Sequence, residues 1–402
     1  MAQVAAPPRG APKTAIDPFT PERILDPYAW HAEVRELGPI IWLEHYGCYL
    51  AARHAECFAI VADHTTFASS AGVGYANFRK ETPWRPPSLL LEADQPDHTR
   101  RRAIVGRILS APNLRGLKPA FEAEANMLIN QLLDRSEVEA VNDVAQAFVL
   151  KVFPDAVGLI PTGRFNLMKY GAMVFNAFGP QNDIFEESAK DLAEVSAWIM
   201  EQCRHENLRP GGLGDQVYQA VPGGQITADE ALILVRSFLS AGVDTTVDAV
   251  GNALWSFATN PAEWAKVKAN PASVKTAFEE VLRFESPFHT FFRTANRDVE
   301  IGGVVIAKDD KVMVNVASAN RDPRKWDKPD EFNVSRSTQG HVGFGFGIHA
   351  CIGQMISRLE NEVLLTEMAK RNVNFELSDM PVHKVHNTLR GFATLPLRFK
   401  QG

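Results

Sequence analysis

Cysteine is scarce in this chain: Cys48, Cys57, Cys203 and Cys351 are the four among 402 residues. So few cannot frame a disulfide scaffold at this length, and they suit a reducing cytosol. Long apolar runs are missing too. No stretch reaches the roughly 18 consecutive apolar residues that a membrane span requires. Residues 1–23, with Pro7, Pro8, Arg9, Gly10 and Pro12, hold no apolar core of signal-peptide length. Nor is there an excess of positive charge. Lys and Arg number 42 against 48 Asp and Glu, a net charge of −6, so no global nucleic-acid or anionic-membrane footprint exists. No period of about 20–50 residues is visible, which excludes a solenoid or propeller. What remains is ordinary for a soluble globular protein: 45% hydrophobic and 22% charged residues.

Residues 1–20 read as an extended Pro-rich lead-in, and residues 21–402 as one domain. Ile40-Ile41-Trp42-Leu43 and Cys48-Tyr49-Leu50-Ala51, joined through His45-Tyr46-Gly47, predict a β-hairpin. Helical periodicity then covers 97–110, 113–135, 141–159, 163–178, 186–206, 228–258, 262–269 and 273–284, with a last helix near 353–370. Strand signals return near 300–316 and 372–400. Helices dominate without βαβ alternation, so the fold class is mainly α with small β-sheets. The 228–258 segment is apolar nearly all round, the mark of a helix through the middle of a large protein. Ala241-Gly242-Val243-Asp244-Thr245-Thr246 interrupts it with groups that need hydrogen-bond partners. A polar kink satisfied by Thr245 bonding back one turn is one reading of that place.

The most informative stretch is Phe344-Gly345-Phe346-Gly347-Ile348-His349-Ala350-Cys351-Ile352-Gly353. A cysteine between a glycine-studded turn and a helix start sits where N–H groups and partial positive charge favour a thiolate. A thiolate is also the axial ligand that lets haem iron cleave the O–O bond. The plain alternative is a buried structural cysteine. A zinc site of His341, His349 and Cys351 lacks a fourth ligand at zinc spacing.

Phe-Gly-x-Gly-x-(Arg or His)-x-Cys-x-Gly resembles the haem-binding loop of the cytochrome P450 monooxygenases, with His349 in place of the commoner arginine. Ala-Gly-x-Asp-Thr-Thr about a hundred residues earlier resembles the family's oxygen-activation motif. The resemblance implies a triangular helical prism around haem b (iron protoporphyrin IX), with Cys351 as axial ligand and O2 as co-substrate. It implies that Asp244 and Thr245 are catalytic and manage protons. It also implies that Phe344, Gly345 and Gly353 contact the haem, and that His98, Arg102, Arg293 and His349 meet its propionates. Glu280 and Arg283, read alone, form a solvated intrahelical pair. The family buries such a pair against an arginine upstream of the cysteine loop, here Arg336. The family's membrane anchor is missing, so the chain looks like a cytoplasmic, bacterial-type member.

Glu81-Thr82-Pro83-Trp84-Arg85-Pro86-Pro87-Ser88-Leu89-Leu90-Leu91-Glu92 is the second distinctive stretch. Its prolines stiffen a loop around one arginine, preorganised for a carboxylate unless Glu81 or Glu92 takes it at the surface. Together with Ser69-Ser70-Ala71-Gly72-Val73-Gly74, this stretch resembles the subgroup that oxidises para-substituted benzoates, notably by O-demethylating 4-methoxybenzoate. That resemblance implies Arg85, Ser88 and Ser237, with Arg236 nearby, at the acid end. It implies Leu91, Phe175, Phe178, Ala241 and Phe291 around the ring, although each aromatic reads equally as ordinary core. On one straight helix Ser237 and Thr245 would stand roughly 12 Å apart, about the length of the anchored substrate. His289 and Thr290 lie beside the expected wall.

No dinucleotide-binding glycine motif or cysteine cluster is present. Electrons would therefore come from NAD(P)H through a ferredoxin reductase and a 2Fe-2S ferredoxin. Arg100, Arg101, Arg107 and Arg358 are docking candidates. The competing readings are a hydroxylase of another small aromatic or hydrophobic acid, a peroxide-driven hydroxylase, and a non-catalytic haem sensor. Peroxide-driven relatives place an arginine where Asp244-Thr245 stand here.

Overall fold

The computed structural model describes residues 10–135 and 137–402. Pro7, Pro8 and Arg9 of the expected lead-in lie outside the described residues. The hairpin forms as its apolar runs dictate: Ile40 faces Ala51 and Leu43 faces Cys48, and Gly47 closes the turn at φ +58°. Lys13–Thr14 pairs parallel with this hairpin on one side, so the lead-in is partly strand. On the other side Cys48–Ala51 runs parallel to Lys311–Asn315, which pairs antiparallel with Thr290–Ala295. Phe67–Ala68 completes the six-stranded sheet. Thr290–Ala295 is buried along its whole length. With both faces covered it shows no alternation, which is why periodicity did not mark it as a strand.

Helices fill the rest, including Tyr28–Leu37 and His54–Ala62, which the sequence pattern left unassigned. Three expected helices differ from expectation. The 141–159 segment opens as a π-helical stretch, Ala140–Gln146, before Ala147–Val157. Glu139 caps those wide first turns by accepting from the Val141 and Asn142 N–H groups. The 186–206 segment is two helices, Asp183–Ser188 and Leu192–Gln202, with Asn182 capping the first. The chain turns between them where Asp191 meets Lys169 of the neighbouring Asn166–Asn176 helix.

The long central helix is also two pieces, Ala228–Ala241 and Asp244–Thr259. A capping box of Thr227 and Glu230 fixes its start. Its break falls where the backbone presses on Phe153: a Cβ on Gly242 would stand 2.2 Å from the Phe153 ring. The hydroxyl of Thr245 takes the Ala241 carbonyl at 2.9 Å, and that of Thr246 takes the Gly242 carbonyl at 3.4 Å. The polar interruption is thus a break satisfied by its own side chains.

Glu280 and Arg283 on the Val274–Phe284 helix are wholly buried, with no exposed side-chain surface. Both Glu280 oxygens accept from Arg283, at 2.7 and 2.9 Å. Arg336 Nε and the Asn333 N–H add 3.3 and 2.9 Å contacts. The remaining Arg283 donors reach the carbonyls of Asn320, Pro329 and Glu331. This knot ties the helix to the irregular segment that leads into the cysteine loop. Removing one partner strands a buried charge, at a cost of about 3–5 kcal/mol. Glu280→Ala is therefore expected to lower the Tm sharply and abolish stable haem uptake, read by thermal unfolding and absorbance. Glu331→Ala, which leaves the Glu331 carbonyl in place, should leave both nearly unchanged.

Candidate active site

One cavity of about 270 Å³ collects the chemistry-bearing residues. Cys351 lies on its wall at the end of a tight loop. The Cys351 N–H donates to the Phe344 carbonyl at 2.8 Å, and Gly345 and Gly347 hold φ of +67° and +71°. Those left-handed positions are why glycine recurs here. Just beyond, Gly353 precedes the Gln354–Lys370 helix. Burial pushes the thiol above its ordinary range, opposed by the Gly353 and Gln354 N–H groups and by Arg102 and Arg358. The surface that Cys351 exposes faces this cavity.

Four basic side chains converge near it without an anion. Arg102 spends one donor on the Ala350 carbonyl, and Arg293 one on its neighbour Phe292. The His98 and His349 rings lie 4.3 Å apart. Both His98 nitrogens and His349 Nε2 are buried without partners. Burial, then the charge of Arg102, holds His98 down to about 4. Burial, then Arg293, holds His349 down to about 2. Arg293 is itself lowered by burial to about 10, still charged at neutral pH. Such a group is costly until an anion joins it. Arg102, Arg293 and His349 line the cavity, whereas His98 stands behind them. Among the described residues, no three His, Cys, Asp or Glu side chains are placed to hold a metal ion.

At the helix break Thr245 lines the cavity and Asp244 does not. Asp244 is buried, its Oδ1 paired with Lys384 at 3.1 Å and its Oδ2 without a partner. Lys384 also meets Asp248 at 2.7 Å. Burial first, and the Asp244 charge, raise Asp248 to about 7 against the pull of Lys384. Sequence reading missed Lys384 and Asp248. An acid one turn after Asp244 was visible, but Lys384, which joins the two, lies 140 residues from Asp244.

The proline-stiffened loop meets the central helix at the cavity's other polar cluster. Ser88 Oγ and Ser237 Oγ stand 3.4 Å apart, and both residues line the cavity with Arg85, Leu91 and Ala241. Arg85 pairs with Glu92 at 3.0 Å, but in the interior rather than at the surface: their side chains are 11% and 2% exposed. Arg236 does not line the cavity. It donates to the Pro86 and Pro87 carbonyls at 2.7 and 3.3 Å and so holds the loop. Phe175, Phe178 and Phe291 line the cavity together with Phe288, which sequence reading missed. Phe288 stacks on Phe291 at 5.8 Å and meets Phe175 edge-on at 5.6 Å. His289 and Thr290 lie between Phe288 and Phe291 where the chain enters the Thr290–Ala295 strand. They face a separate small cavity beside His31 and His386 instead. The docking candidates all have partners of their own. Arg100 and Arg101 hold Glu230, Arg107 holds Gln225, and Arg358 holds Glu279 and Gln354.

The family profile described as "Cytochrome P450" matches residues 159–401. The chain is 46% identical to "Cytochrome p450 CYP199A2" of Rhodopseudomonas palustris, over 97% of its own length and 95% of that protein. The chain is a cytochrome P450. It is also 28% identical to the 6-deoxyerythronolide B hydroxylase of Saccharopolyspora erythraea, over 93% of this chain and 96% of that one. Among solved structures, cytochrome P450 CYP109Q5 from Chondromyces apiculatus superposes with a TM-score of 0.80 at 29% identity, covering 96% and 98% of the two chains. The epothilone B-bound cytochrome P450epoK gives 0.84 at 22% identity over 96% and 100%, a likeness of fold.

This P450 is thus a monooxygenase that uses haem and O2. Its residues fit the cofactor. The cavity offers a thiol for iron on one side, and the Arg102 and Arg293 guanidiniums with the unpartnered His349 Nε2 for two propionates on another. Arg293→Gln should lower the haem-to-protein ratio of purified P450, read by absorbance after gel filtration. Arg107→Gln, whose partner is Gln225, should leave it unchanged.

Proposed function

We propose that this P450 oxidises the para substituent of a benzoate-type acid, with O-demethylation of 4-methoxybenzoate the reaction it fits best. One observation carries the reading. A single cavity holds Arg85, Ser88 and Ser237, a cage of four phenylalanines, and the Thr245–Cys351 end. The acid end is prepared: the Ser88 and Ser237 hydroxyls form a pair, and Arg85 Nε is buried with no partner. A carboxylate supplies the acceptor that Arg85 Nε lacks, and the Ser88 and Ser237 hydroxyls can turn to it from their bonds to each other and to the Ile233 carbonyl. The flat rings around it suit a benzene ring. The sequence resemblance to benzoate-oxidising P450s points to the same class.

Bound haem, held by Cys351, supplies the activation of O2 for insertion into a C–H bond. The chain does the rest. Arg85, Ser88 and Ser237 hold one end of the substrate, so the opposite end meets the oxygen, and orientation becomes selectivity. Thr245 holds a hydroxyl proton at the cavity wall. Asp244 and Lys384 link that point to the partly exposed lysine end, a route for proton supply. Hydroxylation of a methoxy carbon, with two electrons and two protons consumed, gives a hemiacetal and water. The hemiacetal collapses to the phenol and formaldehyde. Electrons arrive from NAD(P)H through a ferredoxin reductase and a 2Fe-2S ferredoxin, in the cytoplasm. Among the described residues no helix is long and apolar enough to cross a membrane.

Two variants test this. Arg85→Ala removes charge-assisted hydrogen bonds worth about 1.5–3 kcal/mol, a ten- to hundredfold weaker Kd for 4-methoxybenzoate in a spin-shift titration. Binding of the neutral amide should change far less, and equal losses would reduce Arg85 to packing. Thr245→Ala should keep the acid's Kd while diverting NAD(P)H electrons to hydrogen peroxide. Tight coupling of electrons to product in that variant counts against proton delivery by Thr245.

A further inference from the structure

We infer that Glu92 is a specificity-determining residue: it holds the acid end of the cavity to one surplus positive charge, so that a monoanionic acid neutralises it. The inference rests on the aromatic-acid reading above and names the residue that sets the charge of that site.

The geometry is particular. Glu92 Oε2 accepts from Arg85 Nη1 at 3.0 Å and from the Ser88 N–H at 2.7 Å, and Oε1 accepts from Arg85 Nη2 at 3.3 Å. Glu92 therefore takes the end-on face of the guanidinium fork. The side edge, carrying Nε–H, stays unpartnered in a residue that lines the cavity. One carboxylate is already built in, and donors remain for a second. By bonding the Ser88 N–H, Glu92 also fixes the hydroxyl that faces Ser237.

The charges nearby can be counted. Arg236, only 2% exposed, touches the Pro86 and Pro87 carbonyls and no carboxylate. Two guanidiniums thus stand against one carboxylate. Burial raises the Tyr170 hydroxyl and pushes the Cys203 thiol up to about 12, so neither adds charge at neutral pH. Burial lowers Lys311 to about 7, and its nitrogen meets the carbonyls of Ala71, Gly72 and Gly74, so it adds little charge to this balance above that pH. A monoanion closes the balance. A neutral amide leaves a buried guanidinium uncompensated, and a dianion leaves a negative charge.

Spin-shift titrations of the holoenzyme with 4-methoxybenzoate and 4-methoxybenzamide test this in the wild type, Glu92→Gln, and Glu92→Gln with Arg236→Gln. Glutamine keeps an acceptor for the Ser88 N–H while deleting the charge. The amide-to-acid ratio of Kd values should rise roughly tenfold or more in Glu92→Gln and return near the wild-type ratio in the double variant. An unchanged ratio, or equal weakening of both ligands, overturns the inference and leaves Glu92 as loop packing. If Glu92→Gln fails to take up haem, recovery of haem and of the wild-type ratio in the double variant supports charge balance. Failure of both variants overturns it. A wild type that binds acid and amide alike sinks the aromatic-acid reading and this inference with it.

Discussion

Buried positive charge in excess of its built-in counter-charge organises both ends of this cavity. Around Cys351 the protein assembles Arg102, Arg293, His98 and His349, and burial, with the neighbouring arginine charges, holds the histidines far below their usual range. That arrangement opposes folding by itself and is relieved only by an anion of matching shape. At the acid end the same device is tempered: Arg85 and Arg236 stand against Glu92. One cluster suits a doubly anionic cofactor and the other a singly anionic acid.

Contrast the Glu280–Arg283–Arg336 knot, where every donor and acceptor meets a protein group. There the charges are fully spent on architecture, which fixes the approach to the cysteine loop. The division between satisfied and unsatisfied buried charge separates scaffold from site in this molecule. Burial alone does not, since Arg293 of the site and Arg283 of the knot are both buried.

How much of this was legible in the sequence depends on the range of the interaction. The Phe344–Gly353 loop and the Ala241–Thr246 interruption are local patterns, and each carries its chemistry within ten residues. The hairpin at 40–51 was legible for the same reason. The central helix read as continuous because apolar periodicity runs through Gly242, and the Phe153 ring that fixes its break lies far away in sequence. Arg236 sits beside Ser237 in the chain, so it read as a substrate contact, but the helix turns it outward to the loop. Lys384 came from the segment just after the Val382–His383 strand and Phe288 from an irregular segment, and neither carries a local signal. His289 and Thr290 read as lying beside the expected wall, and they line a neighbouring small cavity because the chain enters a strand there that carries no periodic signal.

Gly242 against Phe153 has a practical meaning for anyone reshaping this enzyme. The hinge between the two halves of the central helix is seated in a socket made by a different helix. Any larger residue at 242 must first displace an aromatic ring that also lines the reaction chamber. Chamber volume and hinge position are therefore mechanically tied, and enlarging the first without resetting the second requires paired changes at 153 and 242.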